Sequence, residues 1–363
     1  MEMQLHKHEA MLLSLLRASL QQETADTTLF ESATPDEWKA CYKLACSQGV
    51  MALAWDAVST LPAELLPPLG LKISWALIVQ QLEKRYVHYC NTILELSQLY
   101  AKHGICTMVL KGIGLSTIYP KPQHREGGDI DIYTYSADPS RQSDEAANQL
   151  ADQLMLDLHK EVEQGNDKHS VFFYRDVPIE NHKTFLDVTE WQFAIDAEKD
   201  LHRMLNPHAV DLLPNAPQIL VPSDDFNTLY LAIHTLRHYC VGMNLHHLCD
   251  WACLMNRSGL HLPDDIQDPR YTTLFNLFTS FTNTYLGTHV PVKTDEQALA
   301  DLFYQMFRCP LGAKYPSKNP VKIFLFRVRR YLRYRSVMKR LIGESFFANT
   351  WMLIRSRLHS GKN

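Results

Sequence analysis

The chain has 363 residues, of which 46% are hydrophobic and 21% charged, with a formal net charge of −4. That length exceeds one ordinary core and implies two or three globular domains, while the small net charge excludes a general attraction to nucleic acid or to an anionic membrane. The apolar run MLLSLL (11–16) follows His and Glu rather than a basic segment, so it lacks signal-peptide form, and no run approaches the roughly 18 apolar residues of a membrane span.

Helical patterns fill the first hundred residues. Leu5–Gln21 repeats leucine at helical spacing. Thr34-Pro35-Asp36-Glu37 has the form of a helix start, with Thr as N-cap, Pro in the first turn and Glu closing a capping box. This helix should run through Trp38, Tyr42 and Ala45 and break near Gly49. After Pro62, Pro67 and Pro68, a long amphipathic helix is expected over 72–103, ending at Gly104.

The pattern changes at residue 105. Short apolar runs at Ile105–Leu110 and Ile130–Tyr135 read as strands, with a short helix at Ile113–Tyr119 between them. Ser143–Leu158 reads as a helix. His169–Arg175 and Pro178–Val188 then read as two strands meeting at Asp176-Val177. After a loop over Pro207–Pro222, Ser223 caps a helix through Leu229, Ile233, Leu236 and Tyr239, and Leu245–Asn256 forms the next. The predicted organisation is an N-terminal helical region (1–104), an α/β core (105–206) and a C-terminal helical domain (207–363). Eight cysteines occur without a CxxC pair, which argues for reduced, mostly buried thiols in a cytoplasmic protein. Cys249 and Cys253, one helical turn apart, read as packing residues.

The segment Met108–Tyr133, MVLKGIGLSTIYPKPQHREGGDIDIY, carries the chemistry. In a strand, side chains two apart share a face, so Asp129 and Asp131 converge while Ile130 and Ile132 are buried behind them. Paired carboxylates repel unless a cation lies between them. Mg²⁺, with Mn²⁺ as a substitute, suits a few carboxylates completed by water and substrate phosphates. A neighbouring strand should supply a third carboxylate: Glu180 in Pro178-Ile179-Glu180-Asn181-His182, or Asp187 as the fallback. Lys111-Gly112 allows close approach of a phosphate and adds a point charge. Arg125 can clamp a phosphate or orient an aspartate. Gly127-Gly128 gives a flexible approach to the acidic strand.

The ordered set Leu110-Lys111-Gly112, Leu115, Tyr119-Pro120, Arg125 and Gly128-Asp129-Ile130-Asp131-Ile132, then Ile179-Glu180-Asn181-His182, then His234, His238 and Asp250, resembles a bacterial nucleotidyltransferase family of the DNA polymerase β-like superfamily. The KG…R…DID skeleton is also similar to abortive-infection nucleotidyltransferase toxins. Two positions depart from pattern: Lys111-Gly112 stands where the superfamily has Gly-Ser, and Asn181 where the family usually has Leu. The resemblance implies an α+β fold, a small mixed β-sheet nucleotidyltransferase core flanked by N-terminal and C-terminal helical regions. It implies metal-dependent transfer of an NMP from an NTP such as ATP to a hydroxyl or phosphate acceptor on a small molecule, protein or tRNA. Asp129, Asp131 and Glu180 would be catalytic and metal-holding. Lys111, Gly112, Arg125 and Gly128 would bind the nucleotide, and His182, His234, Arg237, His238 and Asp250 would line the acceptor cleft.

Plainer readings stand beside these. The aspartates could cap a solvated strand edge, Glu180 and Lys111 could be surface residues, and Arg125 could form a structural ion pair with the aspartates. His234, His238, His246, His247 and Asp250 could hold a transition metal, line the cleft or be satisfied in the fold. The basic, aromatic stretch Phe324–Arg340 could contact RNA or be a solvated face. Alternatives for the whole chain are a toxin-like enzyme acting on tRNA or protein and an inactive helical interaction module.

Overall fold

The computed structural model describes residues 5–164, 168–189, 191–257, 261–263, 266–308, 319–345, 347 and 351, without the side chains of Cys240, Val241 and Tyr334. The thiol of Cys240, residue Cys309 and the aromatic ring of Tyr334 therefore lie outside what is described. The chain opens with α1 (Lys7–Gln21), α2 (Thr28–Glu31), α3 (Pro35–Ser47) and α4 (Met51–Val58). The expected capping box is present on α3: the Thr34 hydroxyl accepts the Glu37 N–H at 3.2 Å, and the Glu37 carboxylate accepts the Thr34 N–H at 2.7 Å. The long helix α5 (Leu69–Ala101) follows.

The sheet is built from β1 (Ile105–Val109), β2 (Ile130–Ser136), β3 (Val162–Glu163), β4 (His169–Tyr174), β5 (Val177–His182), β6 (His208–Val210) and β7 (Ile219–Val221), with α6 (Asp144–Asp157) after β2 and α7 (Gln192–Arg203) after β5. Among the described residues the strand order is β3-β4-β5-β2-β1-β7-β6. The β2/β5 and β1/β7 pairs are parallel and the others antiparallel. The chain ends in α8 (Asp224–Val241), α9 (Leu245–Met255), α10 (Pro269–Tyr285), α11 (Glu296–Phe307) and α12 (Pro320–Ile342). A small mixed sheet between helical regions is thus the architecture.

Three expectations need correction. The sheet continues past residue 206, because Ile219-Leu220-Val221 adds a strand beside β1 within the segment expected to be a loop; three residues are too few to show a period of two. The last run of the core ends as a strand at His182 rather than Val188. The short helix after Lys111 is a 3₁₀ segment, Gly112–Ile118.

Alternation sorts the two faces of the sheet. Val109, Ile130, Ile132, Val177 and Ile179 are buried against Ile93 and Leu96 of α5 and Ala147 and Ala151 of α6. Met108, Leu110 and Tyr133 point the other way, into a core shared with α1, α4, α8, α9 and α10. That second face carries the acidic residues, so the helices that close the core also form the wall opposite them. No helix among the described residues is long and apolar enough to cross a membrane. The described cysteines are free thiols; Cys249 and Cys253 are buried in α9, as packing residues.

Candidate active site

Register brings the carboxylates together. On parallel strands β2 and β5, Asp131 is the partner of Glu180 and Ile130 of Ile179. The two isoleucines face the core, so Asp131 and Glu180 project from the same side of the sheet. Asp129 immediately precedes β2 and joins them. One carboxylate oxygen from each of Asp129, Asp131 and Glu180 lies within 4.8 Å of the others. Asp187, the fallback, is not in this group; it sits beyond β5 and pairs with Arg237 at 3.2 Å.

Asp131 is held from two sides. Lys111 Nζ donates to Oδ2, and His182 Nε2 lies 2.9 Å from Oδ1. Asp131 is 1% exposed. Burial alone would raise its pKa, but the Lys111 charge and the His182 hydrogen bond together hold it far below the carboxylate range. Asp129 goes the opposite way: burial and the adjacent Asp131 charge raise its proton affinity, only partly offset by Lys111. In Glu180, burial is overcome by His182, 3.6 Å away, and by His169, 3.7 Å away, so its pKa is lowered. Burial and the Lys111 charge push Lys168 down to about 8.

The aspartates open onto a cleft of about 550 Å³. It is lined by Lys111, Gly112, Arg125, Gly128, Asp129 and Asp131 around the start of β2, and by His234, His238, His246, His247 and Asp250 of α8 and α9. Glu180 reaches the cluster from β5 without lining this cleft. A second hollow of about 620 Å³ runs along α6, past Thr134, Asn148 and Asp152, away from Asp129 and Asp131. Gly112 has φ +62°, which favours glycine, and a Cβ there would lie 3.4 Å from Arg125 Nη1. The Gly128 carbonyl accepts a hydrogen bond from Tyr89 at 3.2 Å.

Arg125 and Asp250 are placed against each other. Arg125 donates through Nε to Oδ1 at 3.1 Å and through Nη2 to Oδ2 at 2.7 Å, and Tyr119 donates to Oδ1 at 2.6 Å. The ion pair of the plainer reading therefore exists, but its acid comes from α9 rather than from β2. Glu126 beside it accepts the Ala52 N–H at 3.0 Å and so ties the same loop to the start of α4.

Several imidazoles line the same cleft. His234 and His238 are one turn apart on α8, and His247 comes from α9; one ring nitrogen from each lies within 4.8 Å of the others. Ring centroids are 4.1 Å apart for His238 and His247 and 4.5 Å for His234 and His238. Burial lowers all of them, His238 and His246 to about 4. Lys168 and His169 are additions that linear reading missed. The signal is the β4/β5 hairpin register, which pairs His169 with His182; a sequence shows it only once the turn at Arg175-Asp176 is fixed.

A comparison with protein-family models matches residues 34–274 to the family described as "Uncharacterised nucleotidyltransferase". The match starts at the cap of α3 and ends inside α10, so it takes in every residue of the cleft. Among solved structures, the chain is similar to an antigenic nucleotidyltransferase-like protein from Paracoccidioides brasiliensis, with 15% identity over 56% of this chain and 93% of that one and a TM-score of 0.38. No curated protein matches it.

Proposed function

The chain belongs to the family of uncharacterised nucleotidyltransferases, and on that premise we propose that it moves an NMP from an NTP to a hydroxyl or phosphate acceptor with the help of a divalent cation. The observation that carries this reading is the β2/β5 register, which sets Asp131 beside Glu180 with Asp129 next to both. The donor set is three hard oxygens, which fits Mg²⁺ or Mn²⁺. When bound there, the cation would hold the triphosphate, acidify the acceptor and stabilise the departing pyrophosphate.

The protein's own groups divide the remaining work. His182 fixes the orientation of Asp131 by gripping one oxygen, which leaves Lys111 on the other. Lys111 balances the acidic cluster in the absence of substrate and is within reach of incoming phosphates along the Gly112 turn. Asp129 faces the cleft, which places it beside the acceptor hydroxyl whose proton must leave. The acceptor lies between the acids and the α8–α9 wall, beside His234 and His238.

Labelling tests this directly. Purified chain with α-³²P-labelled NTPs and Mg²⁺ or Mn²⁺ transfers label to an added acceptor or to itself. Asp129→Asn combined with Asp131→Asn removes the label and leaves the circular dichroism spectrum unchanged. Label that persists in this double variant removes the aspartates from the reaction.

A further inference from the structure

We propose that His234, His238 and His247 form a second metal site, distinct from the carboxylates, which takes a borderline-soft transition ion of the zinc class. Three imidazole nitrogens lie within 4.8 Å of one another on the cleft wall. Three histidines with a fourth position open to solvent or substrate form a familiar zinc donor set, and imidazole suits zinc, cobalt and nickel far better than magnesium.

The local fold prepares these side chains for such an ion. Spacing of four residues puts His234 and His238 on the same side of α8. Gly242, with φ 137° in the region that favours glycine, lets the chain turn sharply between α8 and α9 and delivers His247 against His238. The Nδ1 atom of His247 lies 3.0 Å from the Asn244 carbonyl oxygen, closer than its 3.3 Å contact with the Asn244 N–H. In the tautomer that donates to that carbonyl, Nδ1 carries the proton and the Nε2 lone pair is left for a ligand, which is how ligating histidines are commonly oriented. Lys111, which lines the same cleft, is already paired with Asp131. An ion here faces the acids across the cleft, where it can bind an anionic or hydroxyl-bearing acceptor.

The test uses the full chain stripped of metal by a chelator and titrated with Co²⁺. One equivalent should give the intense visible absorption of a four- or five-coordinate nitrogen site, and equimolar Zn²⁺ should abolish it by displacement. His234→Ala and His238→Ala should each lose the band, whereas Asp129→Asn with Asp131→Asn, and separately Glu180→Gln, should keep it. Imidazole ¹⁵N signals of the unaltered protein give a readout that needs no variant. Zn²⁺ should shift His234, His238 and His247 and leave His169 and His182 in place. The proposal is overturned by the absence of stoichiometric binding, by a band lost with Glu180→Gln, or by shifts confined to His169 and His182.

Discussion

Arg125 grips both carboxylate oxygens of Asp250, at 2.7 and 3.1 Å, across 125 residues of sequence. The pair fastens the loop before β2 to α9, so the acidic strand and the histidine wall keep a fixed separation. Both side chains are almost fully buried, at 8% and 5% exposure. Removing one partner of such a pair leaves an uncompensated buried charge, at a cost of about 3–5 kcal/mol. Arg125→Met should therefore lower stability by that amount in urea unfolding. Arg125→Met with Asp250→Leu should cost less than the sum of the single changes. Additive losses would show that the two residues do not depend on each other.

Lys111 occupies Asp131 Oδ2, one of the oxygens that the proposed cation would use. Lys111→Met should therefore tighten Mn²⁺ binding in the absence of nucleotide by at least about tenfold, since a unit charge at this range is worth several kcal/mol even when partly screened. The same change should weaken nucleotide binding. Mn²⁺ titration followed by electron paramagnetic resonance reads the first effect. Unchanged or weaker affinity would mean that Lys111 does not compete with the cation.

Asn181 departs from the usual leucine for a reason visible behind the site. Its side chain accepts from Thr134 Oγ1 at 2.9 Å and from Asn148 at 3.1 Å, and donates to Asp152 at 2.9 Å. Asp152 also accepts from Ser170 at 2.6 Å. Asn181→Leu strands several buried polar groups, each worth about 1–3 kcal/mol when unsatisfied. A loss of at least about 2 kcal/mol in denaturant unfolding is the expected result. A neutral change would show that this network rearranges freely.

His124 lies between Asp56, at 2.9 Å, and Glu83, at 3.0 Å. Burial would lower its pKa, but hydrogen bonds to the two acids win and raise it above 6.5. A raised folded value means that its stabilisation is complete below the unfolded pKa and is lost as pH rises through the folded one. The difference in melting temperature between the natural protein and His124→Gln should shrink as pH rises from slightly acidic to alkaline. A difference that stays constant across this range would contradict the linkage.

How much of this was legible depends on the range of the interaction. Local signals gave the Thr34 cap, the Ser143 and Ser223 helix starts and the convergence of Asp129 with Asp131, because each follows from spacing of a few residues. Glu180 was legible through alternation: Ile179 marks the core face, and the next residue must point away from it. The partner of Arg125 was not legible, since nothing local distinguishes Asp250 from an aspartate on β2. The strands β7, beside β1, and β6, at the sheet edge, were missed because a three-residue strand gains its stability from the neighbour it pairs with, not from its own pattern. Lys168 and His169 enter the site only through the hairpin that folds β4 onto β5.

In the proposed mechanism, Asp129, Asp131 and Glu180 share one cation that grips a triphosphate. Crystals soaked with Mn²⁺ and a non-hydrolysable NTP test it by anomalous scattering. The expected result is a peak within coordination distance of oxygens from all three acids, touching the triphosphate, with Lys111 drawn away from Asp131 Oδ2. Mn²⁺ bound elsewhere, or a nucleotide seated with its phosphates away from these carboxylates, would contradict it.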